Sequence, residues 1–206
     1  MTRALVLLVL WLLQAALVVL LVNAEWVSAQ VQREQQSLAQ QFGNARRAAL
    51  EARSQEIYAK WFVESGFQRA SYSRLLPDHS QPQHGMEGLA PWFFDWLEQR
   101  LDAFWRLMFQ GINRMQILRE WLSLLLLVTA AAVIDGVIQR RIRRSRHELA
   151  SADRYLVARR ALLCLIIAPL LYLSFPIAVT PFVVPIWGGC LAFVLMLITA
   201  YAQQRV

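Results

Sequence analysis

Residues 117–146 read ILREWLSLLLLVTAAAVIDGVIQRRIRRSR and decide the class of the fold. The stretch from Leu122 to Ile134 carries no charged side chain, and a run of arginines follows it after Asp135. An apolar segment that ends in a dense positive cluster is typical of a membrane span whose basic end stays in the cytoplasm. We therefore predict a transmembrane helix over residues 117–138.

Three further apolar blocks extend this interpretation to the rest of the chain. Residues 4–22 contain one polar residue, Gln14, and as a helix would cover about 28 Å, which matches the hydrocarbon thickness. We predict a first span within residues 1–22, with a cleaved signal peptide as the alternative because the end of this block resembles a cleavage site. Residues 161–202 hold two more blocks a few residues apart, which predicts a transmembrane hairpin.

The composition excludes a single water-soluble domain. Of the 206 residues, 57% are hydrophobic and only 17% are charged, whereas globular chains carry about 25% charged residues. The apolar residues are gathered in blocks, which also excludes a disordered chain. Cys164 and Cys190 both fall inside such blocks, so a disulfide between them would have to form within the bilayer.

Arginine placement predicts the orientation of the chain. The linker over residues 139–160 is strongly basic, while residues 23–116 carry ten basic and ten acidic side chains. The positive-inside rule places the linker and both termini in the cytoplasm, and residues 23–116 in the periplasm. We predict an all-α, multi-pass protein of the bacterial inner membrane, with four transmembrane helices and a helical periplasmic insertion between spans one and two.

The predicted periplasmic region has its own pattern. From Glu25 to Phe62, apolar residues recur every three to four positions, which predicts one or two amphipathic helices. Residues 66–90 are rich in proline and glycine and predict a loop. Residues 91–110 predict an aromatic amphipathic helix that lies on the outer leaflet or packs against other spans. Its candidate interaction residues are Trp92, Trp96, Phe104 and Trp105.

Sequence motifs for catalysis are missing. The chain has no glycine-rich phosphate loop, no G-x-S-x-G or H-E-x-x-H motif and no paired carboxylates on one predicted face, so we expect no enzyme and no cofactor. His79 and His84 share a proline-rich loop with two acids, but such a loop lacks the converging ligands of a zinc site, and we expect no metal.

Asp135 is the one acidic residue inside an apolar block, so a proton or ion path is one interpretation. The alternative, which we favour, is a structural role near the interface, where it would pair with linker arginines. The linker's candidate interaction residues are Arg140, Arg141, Arg143 and Arg144. We expect this linker to contact membrane lipids or a cytoplasmic protein, and we do not expect direct nucleic-acid binding.

The string DGVIQRRIRR over residues 135–144, the Arg159–Arg160 pair and LYLSFP over residues 171–176 resemble the integrating conjugative element membrane protein family. The resemblance covers about residues 130–201, and SRHE at residues 145–148 departs from it, because a glycine-rich stretch is expected there. Members are four-span inner-membrane proteins of unknown function, found in integrative elements and conjugative plasmids beside type IV secretion genes and the coupling ATPase.

This resemblance implies a non-enzymatic inner-membrane component or accessory of a conjugative type IV secretion apparatus, acting through protein contacts. Its implied partners are other inner-membrane conjugation or secretion proteins, the coupling ATPase among them, and a homo-oligomer is left open. Two alternatives remain at this point. One is a small transporter or ion-conducting protein that uses Asp135, and the other is a surface-exclusion or regulatory membrane factor.

Overall fold

The computed structural model describes residues 24–76, 91–146 and 152–202, and every element in these ranges is helical. The predicted all-α class is therefore confirmed for this part of the chain. The predicted first span and the histidine-bearing loop lie outside the described residues. The helices are α1 (Ala24–Phe42), α2 (Asn44–Tyr58), a π-helical turn (Ala59–Val63), α3 (Phe67–Leu75), α4 (Pro91–Ser145), α5 (Ala152–Ser174) and α6 (Val183–Tyr201).

The chain forms two compact units. In the described part, the first unit holds α1 to α3, residues 91–116 of α4, and residues 173–180, which join α5 to α6. The second unit holds the remainder of α4 together with residues 152–172 and 181–202. Helix α4 therefore contributes to both units.

Two glycines shape the first unit. Gly43 separates α1 from α2 with φ 80° and ψ 161°, a backbone conformation that essentially only glycine adopts. Gly66 has φ 73° and precedes α3. The predicted loop over residues 66–90 is wrong for residues 67–75, which form α3. These residues contain neither proline nor glycine, and the helix-breaking prolines begin only at Pro77.

Helix α4 is 55 residues long and continuous. It joins the predicted aromatic helix, the predicted span and the start of the basic linker in one element. Hydropathy predicts where a chain meets lipid, but helix continuity depends on backbone propensity, and charged residues such as Arg119 and Glu120 do not interrupt a helix. For the same reason the basic linker is helical at both ends, up to Ser145 and again from residue 152.

Three described helices are long and apolar enough to cross a membrane. They are Trp92–Ser145 of α4, Asp153–Ser174 of α5 and Val183–Tyr201 of α6. Many of their large apolar side chains are exposed, including Leu127 at 69% and Ile186 at 65%. Apolar exposure on this scale would be unfavourable in water and is expected where lipid surrounds the helix.

Helix α5 continues through Pro169, which cannot donate to the carbonyl of Leu165. The indole Nε1 of Trp187 in α6 donates to this carbonyl at 2.9 Å. The neighbouring helix thus satisfies the carbonyl that proline frees, as is common where a proline lies inside an apolar helix. The helix ends at Ser174, and Pro176 disfavours helical geometry at Phe175, the residue before it.

Small residues allow close packing in the second unit. A Cβ atom at Gly136 would collide with Thr199 and would lie 2.6 Å from the carbonyl oxygen of Met196. A Cβ atom at Gly188 would collide with the side chain of Leu125. Helices therefore approach through glycine here, as is common among spans. Both cysteines, Cys164 and Cys190, are free and exposed.

Candidate functional site

A groove of about 470 Å³ lies between α1, α2, α3 and α4 in the first unit. We call it the aromatic groove, because rings form much of its wall. Its lining includes Tyr58, Tyr72, Asp102, Trp105, Arg106 and Phe109, with polar side chains from α1. A concave surface that combines aromatic rings with a carboxylate can bind a positively charged group that also has a flat or apolar part.

Trp105 fixes the wall of the groove. It is 4% exposed and makes edge-to-face contacts with Tyr58, Phe62 and Phe67 at centroid distances of 6.3, 5.4 and 5.9 Å. Its indole Nε1 donates to the hydroxyl of Ser71 at 3.3 Å. Three elements are thus held by one ring, so the groove is built on a packed aromatic core rather than on a loop.

The groove carries a negative charge at Asp102 and a positive charge at Arg106. The hydroxyl of Tyr72 donates to Oδ1 of Asp102. Burial raises the pKa of Tyr72, and the hydrogen bond to Asp102 and the charges of Asp102 and Glu98 raise it further. Burial also raises the pKa of Tyr58. Both phenols therefore stay neutral at physiological pH, and the carboxylate keeps an accepting lone pair beside the rings.

A buried polar cluster lies beside the groove in the same unit. Arg114 is fully buried and Glu34 is 2% exposed. The guanidinium Nη2 donates to Oε2 of Glu34 at 2.8 Å, and Nε donates to Oε1 at 3.0 Å. The amide of Gln110 donates to the same carboxylate at 2.8 Å. A buried ion pair with this many hydrogen bonds is satisfied, and removal of either partner is costly.

The cluster also binds the segment between α5 and α6. Arg114 donates to the backbone carbonyl oxygens of Phe175 and Ile177, the latter at 2.6 Å. The side-chain oxygen of Gln30 accepts from the backbone N–H of Ala178 at 3.2 Å. The cluster therefore links α1, α4 and the non-helical residues 175–180, and the hydrogen bonds of its polar groups stabilise the fold of this unit.

Sequence reasoning missed this cluster, although a signal exists. Glu34 lies on the same helical face as Val27, Val31 and Leu38, whose spacing predicts burial. A charged residue in an apolar stripe requires a buried partner. The partner, Arg114, is 80 positions away in the chain, and no local pattern identifies it.

Residues 21–203 match the family described as IncC plasmid conjugative DNA transfer protein DtrJ-like. The chain belongs to the DtrJ-like family. No curated protein and no solved structure matches it. The match includes the aromatic groove and the buried polar cluster, and it confirms the association with conjugation that the sequence resemblance implies. The family supports a role for this chain in conjugative DNA transfer, and the described residues hold three helices suited to a membrane.

The predicted aromatic interaction residues of this DtrJ-like chain do not form one surface. Trp92 is 70% exposed, whereas Trp96 is half-buried, with Phe93 stacked on it at 6.0 Å and Arg100 over its ring at 5.5 Å. Phe104 is half-buried, and the buried Trp105 is a core residue. Within the described residues, these aromatic side chains therefore divide into an exposed start at Trp92 and a more buried end at Trp105.

Asp135 is exposed and accepts a hydrogen bond from Nε2 of Gln139 at 2.8 Å. Within the described residues its partner is therefore an amide one turn away, where the sequence predicted an arginine. The candidate arginines differ in their surroundings. Arg141 and Arg144 are exposed and Arg140 is half-buried, while Arg143 lies against the ring of Tyr201 with its Cζ 3.8 Å from the centroid.

Among the described ranges, no group of three His, Cys, Asp or Glu side chains is arranged to hold a metal ion. His79 and His84, the histidine pair considered as metal ligands in the sequence analysis, lie outside the described ranges.

Proposed function

We propose that this protein is a non-enzymatic component of the inner-membrane part of a conjugative type IV secretion apparatus. In this proposal it crosses the membrane four times with both termini in the cytoplasm, and residues 23–116 lie in the periplasm. The observation that carries the proposal is membership of a conjugative DNA transfer family over most of the chain. Three apolar helices and the arginine-rich end of α4 support the topology.

The aromatic groove supports an action through protein contacts. Its rings provide rigid apolar area, and Asp102 provides one accepting charge. Such a combination suits the aliphatic stem and charged head of a lysine or arginine, because cation–π attraction and a charge-assisted hydrogen bond act together. The partner in this proposal is another inner-membrane conjugation protein that presents a basic side chain. The exposed Trp92 would extend the contact surface, since tryptophan is enriched where proteins bind each other.

Mating assays test the proposal directly. Deletion of the gene in a donor should abolish or sharply reduce transfer, and the wild-type gene supplied in trans should restore it. Unchanged mating frequency after deletion would remove the proposal. The same deletion in the recipient should have no effect on transfer, because a surface-exclusion factor, unlike a transfer component, acts there.

The groove has its own test in the complemented donor. Asp102→Asn keeps an oxygen for Tyr72 but removes the charge, and we expect transfer to fall about tenfold, the effect of losing about 1.4 kcal/mol of binding free energy. Asp95→Asn is the matched control, because Asp95 is an exposed residue of the same helix. Equal transfer by both variants at equal protein levels would show that the groove charge is not used.

Cysteine labelling tests the topology. In a chain with Cys164 and Cys190 replaced by alanine, single cysteines are introduced at the exposed Ser65 and Ser145. A membrane-impermeant maleimide added to spheroplasts should label Ser65→Cys and should label Ser145→Cys only after the membrane is opened. The reverse pattern would overturn the proposed orientation.

A further inference from the structure

The aromatic groove holds two opposite charges one helical turn apart. Asp102 and Arg106 both line it from α4. Residues four apart on a helix have Cβ atoms about 5–6 Å apart. Within the described residues these two side chains form no ion pair with each other, because Asp102 accepts from the hydroxyl of Tyr72 and the guanidinium of Arg106 is exposed. A molecule bound in the groove therefore meets a negative charge and, beside it, a positive charge.

The groove also carries hydrogen-bonding groups that have no partner in the described part of the chain. They are the hydroxyl of Tyr58 and the side-chain amides of Gln32 on α1 and Gln68 on α3. A side-chain amide both donates and accepts hydrogen bonds, as a peptide group does. A segment of backbone in the groove can therefore form hydrogen bonds with two helices while its side chains contact the rings.

The size of the groove and the spacing of its charges favour an extended segment. A volume of about 470 Å³ is typical of sites for small ligands, so the groove holds a few amino-acid residues and not a folded domain. In an extended chain, side chains two positions apart point to the same face and lie about 7 Å apart. This distance is close to one helical turn, so a basic residue can reach Asp102 while an acidic residue two positions away reaches Arg106.

We propose that the groove binds an extended segment of a partner protein in which a basic and an acidic residue are two positions apart. The basic side chain pairs with Asp102 beside the rings, and the acidic side chain accepts parallel hydrogen bonds from the guanidinium of Arg106. This inference rests on the proposed function, which needs only the basic residue, and it adds the acidic residue as the determinant of which partner binds. A segment with two basic residues would be repelled at Arg106.

Fluorescence anisotropy of short labelled peptides, with the purified full-length protein in detergent, tests this pairing. The probes are uncharged alanine and glycine peptides with arginine-alanine-glutamate at the centre, in either order, and with glutamine in place of one or both charged residues. We expect the better doubly charged peptide to bind about tenfold more tightly than either singly charged one. Arg106→Gln should remove the preference for glutamate, and Asp102→Asn the preference for arginine. The matched control, Arg33→Gln, changes an exposed arginine of α1 and should bind as the wild type does.

A charge reversal tests the same site through a gain of binding, which a misfolded variant cannot produce. Arg106→Glu should bind a peptide with two arginines more tightly than the arginine-alanine-glutamate peptide, which reverses the order found for the wild type. Equal losses in the Arg106→Gln and Arg33→Gln variants would show diffuse attraction and overturn the inference.

The peptide series also separates this inference from the proposed function. If the wild type binds arginine peptides equally with and without glutamate, and Asp102→Asn weakens both, the acidic determinant is overturned and the proposed contact with a basic residue stands. If binding of no peptide depends on Asp102, the role of the groove in the proposed function is overturned together with the inference.

Discussion

Glu34→Ala tests the buried polar cluster most directly. Glu34 is 2% exposed, and the guanidinium that it binds is fully buried. Without the carboxylate, Arg114 loses its ion pair and retains the hydrogen bonds to the carbonyl oxygens of Phe175 and Ile177. A buried charge that loses its partner typically costs about 3–5 kcal/mol, and the same range applies to Arg114→Met, which strands the carboxylate.

Unfolding of the purified full-length protein in detergent, followed by tryptophan fluorescence, measures this loss. The double variant Glu34→Leu with Arg114→Met removes both charges, so we expect it to be more stable than either single variant, with a residual loss of about 1–3 kcal/mol for the carbonyls left unpaired. Arg33→Ala is the control on the exposed side of α1 and should change stability by less than about 0.5 kcal/mol. Strictly additive losses, or a Glu34→Ala loss below about 1 kcal/mol, would refute the reasoning.

Two further predictions concern packing and pH. Gly136→Ala should lower the free energy of unfolding by about 1–3 kcal/mol, because its Cβ would collide with Thr199, whereas Gly189→Ala, with nothing within 4 Å, should be neutral in the same thermal unfolding assay. Tyr72→Phe should cost about 1 kcal/mol at neutral pH through the lost hydrogen bond to Asp102. Because the pKa of Tyr72 is raised above 10.0, this hydrogen bond contributes fully below pH 10 and its contribution declines at higher pH. The free energies of unfolding of the variant and the wild type should therefore converge above pH 10. A difference between them that does not change with alkaline pH would contradict this prediction.

The helical class and the positions of three apolar helices could be predicted from the sequence, because hydropathy and helical period are local properties. The end of α5 was harder to predict from the sequence. The apolar residues continue to Val179, but the helix ends at Ser174, where Pro176 restricts the residue that follows. A proline does not fix the end of a helix by itself, because the same helix continues through Pro169, where Trp187 supplies the missing donor.

The candidate site was predictable only in part. The aromatic character of residues 91–110 is evident from the sequence, but whether a ring is exposed, as for Trp92, or buried, as for Trp105, depends on which helices pack on α4. Glu34 pairs with Arg114, and Arg143 and Arg154 contact the ring of Tyr201. Both contacts join segments that are far apart in the chain, so the spacing of residues along one helix does not predict them.

Arg114 donates hydrogen bonds to the turn that joins α5 to α6. The carbonyl oxygens of Phe175 and Ile177, in the proline-bearing junction between α5 and α6, accept hydrogen bonds from a side chain some sixty residues earlier in the chain. The turn that joins α5 to α6 is therefore held by side chains of α1 and α4, so a substitution in either of these helices should alter a connection that lies far from it in the sequence.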